Sequence, residues 1–313
     1  MTKAGNLSHS AARLGRRSFL TLSGAALLPP GLGQAQSTPR EAEGGIGGTG
    51  IVGLVTEVGV LSVAGNRLTV DSETRFSDPF GAVSAADITL GDSITVEAAG
   101  AEGARVARRV HVTYPLVGVV RAVSGRRFEV NGVPVTARTG IVSPPEGARV
   151  AVSGLWRGSS VVASRLTPAG SNDDLIAGDV TRRIGQSFVG PVRVLGQNIG
   201  RAADGSFASV RGRYDPDTKR FRVTQFENSR FVGAAGPLKR LAVEGYLEPS
   251  DKAPGYRISG LGHSFARNLD LSGFVGGKTL FTGAYTGLFD ARRGIALPES
   301  FDAQRRLLRR IAG

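Results

Sequence analysis

The chain of 313 residues contains no cysteine. It can therefore form no disulfide, no thiolate metal site, no iron–sulfur cluster and no lipid anchor on an N-terminal cysteine. Aromatic residues make up only 6% of the sequence, whereas glycine contributes 45 residues. This composition indicates several thin hydrophobic cores joined by many turns, and not one large core.

Histidine is also scarce, with three in the chain. Neither His111 nor His263 has a partner at a short metal-ligand spacing such as H-x-x-x-H. His111 lies in an alternating strand and is expected to face solvent, whereas His263 follows glycines in a loop and is the better candidate for a polar site. The nucleophile elbow G-x-S-x-G does not occur. The sequence therefore predicts no catalytic residue, no metal site and no cofactor.

The N-terminus carries a pair of arginines, Arg16-Arg17-Ser-Phe19-Leu20, behind a basic stretch. An apolar run of about ten residues follows and is stopped by Pro29-Pro30. This run is shorter than the roughly twenty residues that would span a bilayer as a helix. Arg16, Arg17, Phe19 and Leu20 are the residues that predict a twin-arginine export signal in a signal helix.

Small residues at Gly33 and Ala35 resemble a signal-peptidase site, and cleavage is predicted after Ala35, with Ala-Gln-Ser37 as the alternative. Twin-arginine signals are read by a receptor that passes folded cargo, so the protein is expected to fold before it crosses the membrane. No later stretch resembles a membrane span. The mature product is predicted to be soluble and periplasmic or secreted.

The chain is basic, with 39 Lys and Arg against 26 Asp and Glu. Four of the basic residues lie in the predicted signal, and a net charge of about +9 remains after its removal. A basic balance favours polyanions such as anionic lipid headgroups or acidic polysaccharide. The arginines are scattered through the sequence, which equally fits an ordinary basic surface. Nucleic acid is not expected as a partner in the periplasm. The expected partner is an envelope protein or a glycan.

A phrase of the form apolar-x-Gly-x-aromatic occurs three times, as Val152-Ser-Gly-Leu-Trp156, Val210-Arg-Gly-Arg-Tyr214 and Phe281-Thr-Gly-Ala-Tyr285. Each copy precedes a turn and a further apolar strand, and alternation of apolar and polar residues dominates around it. The recurrence indicates repeated β-modules. Units of roughly sixty residues with about five short strands predict an all-β fold of tandem small antiparallel β-barrels, OB-like or SH3-like, because closure hides sheet edges. A single continuous β-sandwich is the alternative.

The composition and the strand pattern divide the chain as follows. The predicted segments are the signal peptide 1–35, a flexible linker 36–50, β-modules at 51–113, 114–170, 171–232 and a divergent 233–300, and a basic C-terminal helix 301–313. The helix places Leu307, Leu308 and Ile311 on one face with arginines around them, and it is predicted either to dock on a module or to touch an anionic membrane or a partner.

The first two modules share a pattern that includes Gly118-Val-Val-Arg-Ala-Val123, Leu90-Gly-Asp-Ser-Ile-Thr-Val-Glu97 and Ala104-Arg-Val-Ala-Arg-Arg-Val110. This pattern resembles the bacterial family called domain of unknown function 5666 over about residues 51 to 168. The resemblance implies small β-barrel modules in exported proteins and carries no catalytic residue.

The aromatic residues of the repeated phrase, Trp156, Tyr214 and Tyr285, are the candidates for ligand binding, together with Arg157, Arg211, Arg213 and His263. Aromatics on the open face of OB-like barrels stack bases or sugars. The alternative is that each aromatic covers a glycine and packs a thin core, which is favoured because a residue that marks a repeat is usually needed for its folding.

Three functions remain open from the sequence. The first is a non-catalytic scaffold or binding surface of the cell envelope. The second is a binder of polyanions or oligosaccharides through the OB-like faces. The third is a periplasmic hydrolase with His263 in its site.

Overall fold

The computed structural model describes residues 47–251, 255–261 and 270–312. The predicted signal residues Arg16, Arg17, Phe19 and Leu20, the cleavage position Ala35 and the candidate His263 all lie outside the described residues. Within the described ranges, no helix is long and apolar enough to cross a membrane.

The described part of the chain is built almost entirely from short strands, grouped here into four units. The first unit contains β1 Gly48–Glu57, β2 Leu61–Val63, β3 Asn66–Leu68, β4 Arg75–Asp78, β5 Gly81–Ala82, β6 Ser93–Ala99 and β7 Val106–Val112. The second unit contains β8 Leu116–Ser124, β9 Arg127–Val130, β10 Val133–Ala137, β11 Arg149–Arg157 and β12 Ser160–Pro168.

The third unit contains β13 Asp174–Arg183, β14 Gln186–Val189, β15 Val192–Leu195, β16 Phe207–Asp215 and β17 Arg220–Glu227. The fourth unit contains β18 Leu238–Pro249, β19 Tyr256–Ile258, β20 Lys278–Tyr285 and β21 Phe289–Ala296, and the helix α1 Phe301–Ala312 follows it. Short 3₁₀ turns occur at Ala85–Asp87, Ile199–Arg201 and Ser272–Phe274.

The second and third units are closed five-stranded barrels with the same topology. In the second unit the strand order is β8-β9-β10-β12-β11, and β11 pairs with β8 to close the ring; in the third it is β13-β14-β15-β17-β16, closed by β16 on β13. The predicted all-β fold of small barrels is confirmed, and closure excludes one continuous β-sandwich for these residues.

Each of these barrels contains one parallel contact, between β10 and β12 or between β15 and β17. The prediction named antiparallel barrels, and this contact is a departure from it. A ring with an odd number of strands cannot have every neighbour antiparallel, so one parallel pair is unavoidable in a five-stranded barrel.

The second and third units are joined through a short pairing of β8 with β13 and through one shared hydrophobic core. The hairpin between β9 and β10 turns at Asn131-Gly132, both with positive φ, as a two-residue hairpin requires. The Asn131 side chain is buried, and its Nδ2 donates to the carbonyl oxygens of Val117, at 2.9 Å, and Leu175, at 3.0 Å. One turn residue therefore ties the two barrels together.

The first and fourth units are joined more extensively, because β1 runs parallel to β18 within one sheet. In the first unit β1 also pairs with β2 and β6, and a bridge between Thr69 and Val106 links the end of β3 to β7. Strand β1 begins at Gly48, so residues 48–50 of the predicted flexible linker are part of the sheet. Their partner strand is about 190 residues away in the sequence, and no local sequence pattern predicts this pairing.

His111 differs from its expected position. It lies in β7, but β4 pairs alongside β7, and the Oγ of Ser77 lies 2.8 Å from His111 Nδ1. The imidazole is therefore half-buried instead of facing solvent. Burial and the neighbouring Arg109 and Arg230 lower the pKa of His111 to about 3.

The helix α1 docks on the core of the first unit. Leu308 is buried there, and Leu307 and Ile311 pack beside it. A buried polar chain fixes the helix: Lys278 Nζ donates to Gln304 Oε1 at 2.7 Å, and Gln304 Nε2 donates to Glu244 Oε1 at 2.5 Å. Burial raises the pKa of Glu244 and lowers that of Lys278, so their mutual attraction through Gln304 offsets a desolvation cost.

Candidate functional site

The glycine of the repeated phrase occupies the same structural position in three units. The strand register shifts at Gly154, Gly212 and Gly283, as it does at a β-bulge. A Cβ at these positions would lie 2.3, 1.9 or 1.8 Å from a carbonyl oxygen of the neighbouring strand. The repeat is therefore a steric requirement of the bulge. In the first unit Ala98 stands at the corresponding shift, so the bulge there accommodates a Cβ and does not need the glycine of the phrase.

Trp156 lies in the core at the meeting point of the units, with 5% of its surface exposed. Its Nε1 donates to the carbonyl oxygen of Ala177 in the third unit at 2.8 Å. The indole lies so close to Gly260 of the fourth unit that a Cβ there would be 2.0 Å from Trp156 Cδ1. The ring is thus enclosed by protein and offers no open face for a base or a sugar.

The other two aromatics of the phrase are half-buried in separate places. Tyr214 packs against the core shared by the second and third units, and burial raises the pKa of its hydroxyl. A Cβ at Gly132 would lie 2.2 Å from the Tyr214 hydroxyl oxygen, so the ring covers the hairpin turn of the second unit. Tyr285 packs against the core of the fourth unit. The three residues therefore do not share a surface.

The predicted arginines are also separated. The guanidinium of Arg157 lies 5.2 Å from the ring of Tyr246, and that of Arg211 lies 5.6 Å from the ring of Phe80. Arg213 is exposed on the third unit. The structure groups Arg213 with other arginines and not with Trp156.

A junction joins all four units around Arg230, which lies in the segment between the third and fourth units. Its guanidinium stacks 3.9 Å from the ring centre of Phe207, donates to the carbonyl oxygen of Gly260 at 2.9 Å and reaches Thr95 Oγ1 at 3.5 Å. Burial lowers the pKa of Arg230 to about 10, and the nearby carboxylate of Asp179 opposes this shift.

The cavity at this junction has a volume of about 40 Å³ and is lined by residues of all four units. That space suits a water molecule and is far below the 300 to 1,000 Å³ of typical ligand pockets. Asp92 of the first unit adds a further link, since its Oδ1 accepts a hydrogen bond from Nη1 of Arg165 in the second unit at 2.7 Å. The junction therefore holds the units together and is not itself a ligand site.

The outer surface of the third unit carries a group of arginines on three adjacent strands, here called the arginine face. Its members are Arg193 of β15, Arg213 of β16, and Arg220 and Arg222 of β17. Arg213 lies directly across from Arg222, and Arg193 lies across from Arg220. Within the part of the chain that the structure describes, none of the four is in an ion pair.

Like charges directly opposite each other on a sheet destabilise it. Asp215 faces Arg220, and its carboxylate accepts bonds from Thr218 and from the backbone of Asp217. These hydrogen bonds, and to a smaller extent the charge of Arg222, lower the pKa of Asp215, so one acidic group lies near the four arginines. The arginine face thus retains an excess of positive charge that can attract an anionic ligand with several charges.

Of the four arginines, the sequence predicts only Arg213 as a site residue. The alternation Arg220-Phe-Arg222 is a local signal for the others, because it places two cations on the outer side of one strand. Their neighbours in space depend on the register with β15 and β16, which the sequence does not state.

Two segments, residues 50–111 and 117–167, match the family described as "Domain of unknown function (DUF5666)". The matched segments coincide with the first and second units, so two tandem modules similar to this family are confirmed. No curated protein and no solved structure matches the chain.

Proposed function

We propose that this protein is an exported, non-catalytic binding scaffold of the cell envelope that offers a surface to a protein or glycan partner. The observation that carries the proposal is the junction at Arg230 and Trp156, where side chains of one unit are enclosed by the others. Such interlocking favours a rigid platform, on which outward residues keep fixed spacings.

Export is proposed from Arg16-Arg17 and the short apolar run that follows. An interlocked β-protein without cysteine is suited to a route that carries folded cargo, because it needs no oxidation after crossing. The test is cell fractionation of the full chain beside an Arg16→Lys/Arg17→Lys variant. The native protein is expected in the periplasm or medium and the variant in the cytoplasm. An equal distribution of the two would contradict export by this signal.

The scaffold itself is tested by crosslinking the tagged full chain in intact cells and isolating it from the envelope fraction. A defined envelope protein or glycan is expected to be crosslinked, with lower yield for a Trp156→Ala variant that loosens the junction. If the native chain were recovered without any crosslinked partner, the scaffold would be contradicted. Turnover of a substrate by the purified protein would contradict a non-catalytic function.

A second candidate function is binding of polyanions or acidic oligosaccharides, and the arginine face favours it specifically. Arginines directly opposite each other cost stability, and an anionic ligand with planar charged groups would offset that cost by pairing with both. The proposed ligand contacts Arg213 and Arg222 together, in place of the Trp156 face that the sequence indicated.

The test for this candidate is elution from a heparin column with increasing salt. Arg213→Gln/Arg222→Gln is expected to elute at clearly lower salt than the native chain, because each lost phosphate or sulfate contact reduces the salt dependence. The matched control is Arg127→Gln/Arg293→Gln, at exposed positions of the second and fourth units, which removes the same charge. Equal shifts for the two variants would show that only net charge matters.

Contact of α1 with an anionic membrane is tested separately with Arg306→Gln/Arg310→Gln, which is expected to bind anionic vesicles more weakly than the native chain. Equal binding would contradict that contact.

A further inference from the structure

An open groove of about 1040 Å³ lies on the first unit, beside the C-terminal end of α1. Its volume corresponds to the upper end of the range for ligand pockets. Apolar side chains of Leu61, Leu68, Phe76, Ile88 and Ile311 line part of it, and polar groups make up the rest of the lining. The groove belongs to one unit and its docked helix, and it is separate from both the junction and the arginine face.

Three valines at the groove are unusually exposed. Val58, Val60 and Val70 expose 51%, 43% and 41% of their surface. Single exposed apolar residues are common, but three that line one groove are typical of a binding site. The groove therefore offers exposed apolar side chains in addition to the apolar part of its lining.

A buried cation lies in the same groove. Arg105 lines it with only 8% of its surface exposed. Its Nη1 donates to Asn66 Oδ1 at 2.5 Å, and its Nη2 is 3.9 Å from the carboxylate of Glu102. No acceptor for its Nε is found among the described residues.

The ion pair with Glu102 does little to neutralise Arg105, because the Glu102 side chain is 76% exposed and the contact is long. Burial lowers the pKa of Arg105, yet a guanidinium remains charged in proteins. A buried cation with incomplete hydrogen bonding is costly unless an anion completes it. Arg67 adds a second, exposed cation to the lining.

We infer that this groove binds a single-chain amphipathic anion, an acyl carboxylate, with the carboxylate at Arg105 and the chain along Val58, Val60 and Val70. The three exposed valines fit a hydrocarbon tail, and the incompletely paired guanidinium fits one planar anionic head. A polyanion without a tail fits poorly, because it would leave these valines in water. This inference goes beyond the proposed function and does not depend on export or on the arginine face.

The test is isothermal titration calorimetry of the purified protein with dodecanoate below its micelle concentration, beside dodecanol and butyrate. Dodecanoate is expected to bind in a one-to-one ratio, whereas dodecanol lacks the charge and butyrate lacks the tail, and each is expected to bind at least about tenfold more weakly. No binding of dodecanoate, or equal binding of dodecanoate and dodecanol, would overturn the inference.

Variants locate the site. Arg105→Gln is expected to weaken dodecanoate binding about tenfold or more. Arg105→Lys is expected to weaken it less, because it keeps the charge without the planar fork.

Because Arg105 is buried and its variants can fail to fold, Val58→Asp provides an independent test at an exposed position. It is expected to weaken binding about fivefold or more, through charge repulsion and lost apolar contact. Val142→Asp is the matched control, since Val142 is 88% exposed in the second unit and away from the groove. Unchanged affinity in Val58→Asp, or equal losses in Val58→Asp and Val142→Asp, would contradict this site.

Discussion

The third and first units share a strand order around the ring and present opposite surfaces. The third unit carries cations on its outer strands at Arg213 and Arg222. The first unit carries exposed valines beside a groove with one buried cation, Arg105. Barrel closure constrains the inward residues of every strand, whereas the outward residues alternate with them and are free to differ. Related modules can therefore bind different ligands without a change of topology.

The largest expected effect concerns the bulge, where the third unit has Gly212 and the first has Ala98. Gly212→Ala should lower the free energy of unfolding by about 3 kcal/mol or more, because the new Cβ would lie 1.9 Å from a carbonyl oxygen and a strand must move. Gly200→Ala in the same unit is the control, with open space around it and a change within about 0.5 kcal/mol expected. Urea unfolding measures both. Equal effects would mean that the bulge is as adaptable in the third unit as in the first.

The next effect sharpens the difference in how the units are joined. The fourth unit and the helix α1, which packs on the core of the first unit, meet at the buried chain Glu244–Gln304–Lys278, whereas the second and third units share an apolar core. Gln304→Leu is expected to destabilise the protein by about 3 kcal/mol, because it removes the amide that bonds both Glu244 and Lys278 and leaves these buried ionisable groups with fewer hydrogen bonds. Arg306→Leu, exposed on the same helix, is the control for helix propensity. Thermal unfolding measures the melting temperature of both variants. A melting temperature of Gln304→Leu equal to that of the native chain would contradict the prediction.

The third effect is a pH dependence that originates in the first unit. The pKa of His111 is lowered to about 3 from an ordinary value of 6.5, so the unfolded chain binds this proton at a higher pH than the folded one. Stability due to neutral His111 is complete above pH 6.5 and is lost as the pH falls toward about 3. Between pH 7.5 and 5.5 the loss should be about 1 kcal/mol. Urea unfolding of His111→Gln should show a weaker pH dependence over this window, and an unchanged slope would exclude His111 as the cause.

The smallest effect belongs to the arginine face. Arg213→Gln/Arg222→Gln is expected to stabilise the protein by up to about 0.5 kcal/mol, because it removes a like-charge pair across two strands. The gain should shrink as salt is added, since screening already weakens the repulsion. Chemical unfolding at low and high salt measures the change. A loss of stability at low salt would show that the arginines pack usefully instead of repelling each other.

Much of the fold could be predicted from local sequence. Alternation marked the strands, Asn131-Gly132 has the composition of a two-residue hairpin, and the recurring glycine of the phrase marked a position shared by three units. The candidate site was less accessible. The repeat singles out Trp156, but its burial comes from Ala177 and Gly260, which follow it in the chain by many residues.

The sequence by itself determined an all-β chain with repeated units, because side chains alternate with a period of two along a strand and a bulge accepts only a small residue. Tertiary structure alone decided that β1 pairs with β18, that His111 is half-buried and that four arginines share one face. These features depend on register between strands far apart in the sequence. Register is set by the summed packing of whole units, and no short segment contains that information.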